Sequence, residues 1–361
     1  MHTDDPNGDL SDDPTASSSP ARGSADASVD AGDTPAGGSV GDPEDSLING
    51  LIDAHTHVGA DLLFYLRGDY PYALDWPTLV RLGEYAGIRG GMVVFPMVSN
   101  LSMNISALRE GKIETEGALE KIPYQFENRR MMEEIALFPE LAPRAYPLWM
   151  IDPSREQAAQ VEALAALARE HRCSGLKLQA TIIRSYVRDL NGPGRCLMEY
   201  AEANDLPVLI HSSVHPEDPW SNVADLLAVA EAWPGIRFNL AHSCRFDKPS
   251  LDRINALPNT WFDCSAHRIH CELVGMKSPS VAAPGRLFPS DYSDPVAVLR
   301  DLAAAYPDKL MWGSDAPFDS YVTKDVQLRS SYGAEAATLL ALEPEIVTRI
   351  ARTNTLAFLR G

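Results

Sequence analysis

From residue 48 onward, short apolar runs alternate with stretches whose apolar positions recur every three to four residues. The runs span residues 51–57, 91–98, 145–151, 175–179, 207–212, 237–242, 261–265 and 310–314. Such compact, β-branched runs with little internal polarity read as buried strands. The stretches between them read as helices, over 77–86, 128–138, 154–171, 193–204, 221–233, 294–306 and 344–352. In 154–171, Ser154 is the expected N-cap, Glu156 and Gln157 fill the first turn, and Val161, Leu164, Ala165 and Ala168 keep the helical period. Eight strands alternating with helices predict an α/β fold with a parallel sheet, and eight is the number that closes a (β/α)₈ TIM barrel. The rival doubly wound sheet calls for a Gly-rich turn after its first strand, and none is present.

Residues 1–47 break this pattern. Eleven acidic residues against Arg22 give the segment a net charge of −10, with almost no large apolar side chain. It cannot bury enough surface to offset its ordering entropy, so it is expected to be a disordered acidic leader ahead of one catalytic domain, 48–361. The whole chain carries −19. That excess argues against nucleic acid or an anionic membrane as partner, since both call for a basic face. Five cysteines without a C-x-x-C pair argue against a disulfide framework. With no apolar run long enough to span a bilayer and no secretory signal, a cytoplasmic location is expected. A small-molecule substrate is the expected partner, with a homo-oligomer as an option.

Candidate chemistry gathers at the ends of the strands. His55 and His57 flank Thr56 at the end of the first, and side chains at i and i+2 share a face. His211 ends the fifth strand, His242 the sixth, and Asp315 follows the eighth. In a barrel all five would converge on one rim, where an ion satisfies groups that would otherwise be buried unpaired. Asp53, two before His55, is expected to share its face. Three connections at that rim are long (58–76, 99–127 and 266–293) and read as walls of a substrate cleft. His215, His267 and His270 fall in loops over the mouth and read as solvated.

These features resemble the metal-dependent amidohydrolase superfamily, in its amidohydrolase-related branch. The resemblance covers about residues 50–360. It rests on H-x-H, Gly175-Leu-Lys-Leu178, Leu209-Ile-His211, Ala241-His242, Gly313-Ser-Asp315 and Asn354-Thr-Leu-Ala-Phe-Leu359. It implies one divalent metal ion, zinc by expectation, with His55, His57, His211 and Asp315 as ligands or close contacts. His242 would stand beside the reacting water, and Asp315 would also take its proton. Lys177 resembles the ammonium of one-metal members more than the bridging carbamate of two-metal members. Lys177, Arg245 and Arg268 are the candidate substrate-binding cations, suited to a carboxylate or an oxyanion. The resemblance implies hydrolysis of a small lactone, amide or ester. The runner-up is non-oxidative decarboxylation of an aromatic or muconate-type acid, and the third reading is a non-catalytic barrel with a structural metal.

Overall fold

The computed structural model describes residues 50–361, so the acidic leader lies outside the described residues. Eight strands form the barrel: β1 Ile52–Ala60, β2 Gly91–Pro96, β3 Ala145–Met150, β4 Gly175–Leu178, β5 Val208–Ile210, β6 Phe238–Leu240, β7 Thr260–Asp263 and β8 Leu310–Met311. Each pairs in parallel with the next. The seam between β8 and β1 closes through backbone bonds: Ala54 N–H donates to Trp312 O (3.0 Å), Asp315 N–H to His55 O (2.9 Å) and His57 N–H to Ala316 O (2.7 Å). A short strand, Ala73–Leu74, adds antiparallel to β1 at the rim. The fold is the (β/α)₈ barrel expected from the sequence.

A helix follows each strand. They are Trp76–Tyr85, Gln125–Ala136, Gln157–Leu167, Arg195–Ala203, Val223–Ala232, Lys248–Ala256, Pro295–Ala305 and Tyr332–Leu340. Asp75, Asn222, Asp247, Asp294 and Ser331 cap five of them by accepting backbone N–H bonds, which satisfies donors with no partner inside the helix. Ser154 is not a cap. Its hydroxyl donates to Asp189 Oδ2 (2.6 Å), and the helix begins at Gln157, behind Glu156 in the left-handed region. Lys248–Ala256 escapes the sequence pattern because only Leu251 and Ile254 of its apolar residues are buried.

The strand alternation sorts the interior into two layers. Met92, Val94, Leu176, Leu178, Val208, Ile210 and Trp312 pack with helix residues such as Leu79, Leu164 and Leu197. Their neighbours Val93, Phe95, Leu148, Leu209 and Met311 form a separate cluster with Phe358 and Leu359. This second set fills the barrel lumen. A register shift between Asp53 and Thr56 breaks the alternation in β1. Ile52 and Ala54 point into the lumen below it, and His55 and His57 point into the cleft above it. Such a bulge re-aims side chains in this way. Asp53 therefore does not share the face of His55. Its Oδ1 accepts from the backbone N–H groups of His55 (3.1 Å) and Ser314 (2.9 Å). Gly313 lets the seam close: a Cβ there would meet His55 Cβ at 2.7 Å. Among the described residues no helix is long and apolar enough to cross a membrane.

Candidate metal centre

The C-terminal ends of the strands open into a cleft of about 630 Å³. The long connections wall it, through Leu63 and Phe64 from the first, Leu108 from the second, and Ile269, His270 and Leu273 from the third. His267 and His270, expected in a solvated loop, lie on a helix, His267–Gly275, and both are buried. His267 is tied to Pro295 O (2.8 Å), away from the chemistry, while His270 contacts Arg245. His215 lines the cleft, half-buried, its Nδ1 accepting from Glu217 N–H.

At the floor His55, His242 and Asp315 each offer a ligand atom, and these atoms lie within 4.8 Å of one another. Asp315 Oδ1 is 3.1 Å from His55 Nε2 and 3.2 Å from His57 Nε2. His211 stands one step further out, its Nδ1 3.0 Å from His242 Nε2. His242, expected beside the ligands, thus belongs to the tightest group, and His211 supports it. Asp315 sits in the left-handed region at φ 64°, which aims its carboxylate back over the rim. Burial alone would raise its pKa, but His55 and His242 nearby and hydrogen bonds from both H-x-H imidazoles hold it well below the usual carboxylate range. Burial lowers His57 to about 4, against the opposing pull of Asp315. His211 and His242 are likewise pushed well down by burial. At neutral pH these three rings are uncharged and present lone pairs.

Asp263, at the end of β7, was not among the expected site residues. It is wholly buried, and its Oδ2 accepts from His55 Nδ1 (3.0 Å) and Asn239 Nδ2 (2.8 Å). Its Oδ1 accepts from the backbone of His242 (3.1 Å) and Ser265 (3.0 Å). Burial opposes its ionisation, but the charge and bond of His55 prevail and bring it to about 2. The signal was a lone acid closing the apolar run Trp261-Phe-Asp263, which reads like any strand terminus.

Two cations share the floor. Lys177 is buried on β4, its Nζ 3.4 Å from His55 Nε2 and 4.4 Å from the centroid of the Phe95 ring. Burial brings its pKa down to about 7, against the pull of Asp263 and Asp315. Arg245 arrives by an unusual route. His242, Ser243, Cys244, Arg245 and Phe246 all have φ between 45° and 62°, a left-handed turn without glycine that costs roughly 1–2 kcal/mol per residue. The Arg245 guanidinium donates to Ser212 O (3.1 Å), to His211 Nε2 (3.2 Å) and to His270. Arg268 is not brought to the cleft. Its helix turns Ile269, His270 and Leu273 inward, and Arg268 instead donates to Thr338 Oγ1 (3.0 Å) on the helix Tyr332–Leu340.

The residues fit a divalent cation. The imidazoles of His55 and His242 and the ionised carboxylate of Asp315 converge within 4.8 Å, and His57 Nδ1 is buried without a partner. Imidazole and carboxylate donors suit zinc or manganese.

A family model described as amidohydrolase matches residues 52–361. A search of curated proteins finds no match. Among solved structures, the chain is similar to a dihydroxybenzoic acid decarboxylase from a Polaromonas species with bound manganese and the inhibitor 2-nitroresorcinol (14% identity, 86% of this chain and 97% of that one, TM-score 0.54). It is also similar to a 2,6-dihydroxybenzoate decarboxylase complexed with 2,6-dihydroxybenzoate (12% identity, 87% and 100%, TM-score 0.53). A third is an amidohydrolase from Burkholderia multivorans with bound HEPES (17% identity, 86% and 98%, TM-score 0.53). At these identities the likeness is one of fold.

Proposed function

The chain belongs to the amidohydrolase family, and we propose that it is a metal-dependent hydrolase of a small lactone, amide or ester that carries a carboxylate. The observation that carries this reading is Asp315. Its carboxylate meets the imidazoles of His55 and His57 at 3.1 and 3.2 Å, and Lys177 and Arg245 line the same cleft. His55, His57, His242 and Asp315 would hold a divalent ion, zinc by expectation, which would supply Lewis acidity toward the scissile carbonyl and acidify water.

The remaining work falls to the chain's own groups. Asp315 Oδ1 is occupied by the imidazoles, which leaves Oδ2 to take the proton of the attacking water and return it to the leaving oxygen or nitrogen. His242 stands 3.9 Å from Asp315 Oδ2 through Nδ1 and would share in holding the ion. Lys177 and Arg245 stabilise the oxyanion or seat the carboxylate, because charge-assisted bonds in a desolvated floor are strong. Phe318, edge-on to His57 at 5.0 Å, and Ile269 keep bulk water from the reacting carbon.

The same two cations support a second reading, decarboxylation. A carboxylate seated by Arg245 would leave as CO₂, and Lys177 would return a proton to the carbanion. One experiment separates the two. Metal-reconstituted protein is screened against lactones, amides and aromatic carboxylates in ¹⁸O-labelled water, with CO₂ followed in parallel. Label in the product without CO₂ supports hydrolysis, CO₂ without label supports decarboxylation, and neither outcome with any substrate class refutes both readings.

A further inference from the structure

Lys177 and Arg245 occupy only the floor of the cleft, and a third cation lines the wall above them. Arg184 closes the short helix Ala180–Ile183 in the left-handed region, at φ 50°. Non-glycine residues adopt this conformation rarely, and it clusters at sites where a side chain must be presented in one direction. Two contacts hold the half-buried guanidinium in place. It lies 5.5 Å from the centroid of the Trp220 ring, and Nη1 donates to Gly111 O on the neighbouring connection. Among the described residues no carboxylate pairs with it within 4 Å, whereas ten other arginines there have such a partner.

The nearby acid is already engaged. Asp218 accepts from Thr181 Oγ1 (2.7 Å), Ser221 Oγ (2.9 Å) and the backbone N–H groups of Trp220 and Ser221. Those four bonds use both its oxygens. Glu217 is exposed and forms no ion pair among the described residues. Arg184 is thus a pre-positioned cation without an internal counter-charge, facing the same cleft as the reaction floor. The same cleft has a substantial apolar lining, Leu63, Phe64, Phe318, Ile269 and Leu273, beside the exposed Arg67 and Glu217.

We propose that Arg184, seated on Trp220, is a second anion subsite and that the substrate class is a small dicarboxylate with an apolar body. One carboxylate lies on Lys177 and Arg245, the other on Arg184. This rests on the reading of the cleft as the substrate site, and it is tested by binding, so that it stands or falls apart from the choice of reaction. The zinc-loaded full chain is titrated calorimetrically with isophthalate and with benzoate, which share a ring and differ by one carboxylate. Isophthalate should bind about tenfold more tightly, the effect of one charge-assisted hydrogen-bonded contact. Arg184→Met should erase that preference and leave benzoate within about twofold of the wild type, while Arg184→Lys should keep part of it. Lys177→Met should weaken both acids together. An unchanged isophthalate-to-benzoate ratio in Arg184→Met, or failure of both acids to bind the wild type, overturns the proposal. A preserved ratio of the expected kind with no hydrolysis in the substrate screen would overturn only the hydrolase reading.

Discussion

The Nδ1–H of His55 donates to Asp263 Oδ2 at 3.0 Å, deep under the cleft floor. With an ion bound, that bond would keep the proton on Nδ1 and leave the Nε2 lone pair of His55 for the metal. Partners of this kind fix ligand orientation and basicity, and their loss weakens metal binding about 10–100-fold. Asp263→Asn should therefore lower zinc affinity by that factor, read by competition with a chromogenic chelator. Wild-type affinity in this variant would show that His55 is oriented by other means.

Asp315 unites two roles, and substitutions can part them. Asp315→Asn keeps an oxygen toward the imidazoles but removes the base, so turnover should fall about 10²–10⁴-fold. His55→Asn and His242→Asn should both reduce bound metal, since these residues stand with Asp315 in the tightest group. Elemental analysis beside turnover on the three variants checks this. Near-normal turnover in Asp315→Asn would remove it from the mechanism.

Chelation divides a catalytic ion from a structural one. The barrel's layers are held by apolar packing among strands and helices, so removal of metal should abolish turnover and leave the far-ultraviolet circular dichroism intact. Loss of secondary structure on chelation would favour the structural-metal reading instead.

Glu335 should give stability a pH dependence independent of the cleft floor. Burial raises its carboxyl from the ordinary 4.5 to about 8, against bonds from the Arg268 backbone and Ser330. The folded chain then holds a proton that the unfolded chain has released, and stability falls as pH rises from about 4.5 through about 8. Glu335→Gln should gain on the wild type across that window, measured as the difference in urea midpoint near each end. Parallel pH profiles would count against it.

Asn354 explains the terminal motif in physical terms. Its amide donates to Pro307 O (2.8 Å) and Leu310 O (2.7 Å), fixing the start of β8 from the C-terminal helix. Asn354→Ala would leave both acceptors short of a donor and should cost about 1–3 kcal/mol in chemical denaturation. A loss below ~0.5 kcal/mol would mean that water replaces the amide at little cost.

Much of this arrangement was legible because strand period and strand end are local properties. His211 shares the inward parity of Leu209, and Lys177 alternates with Leu176 and Leu178, so their direction follows from the pleat alone. Asp53 and His55 defeat that logic, because the bulge that re-aims β1 depends on pairing with β2. Arg268 defeats it too. It is adjacent to Ile269 on the helix, and the packing against Tyr332–Leu340 decides which of them faces the substrate. The helix itself was hidden by its histidines, although Ile269 and Leu273 stand four apart. Asp263 needed three-dimensional information of another kind, since its partners His55, Asn239 and Ser265 come from three separate strand ends.

The closing seam carries a consequence for how the protein is made. His57 and Asp315 are 258 residues apart, and they meet only where β8 locks onto β1. During synthesis the histidine pair leaves the ribosome long before its carboxylate partner exists. On the proposed reading the complete cage, Asp315 included, would form only when the last barrel strand docks. A chain interrupted before β8 would carry His55, His57 and His242 without Asp315, and so an incomplete cage. On the proposed reading, metal loading would mark only chains whose barrel has closed.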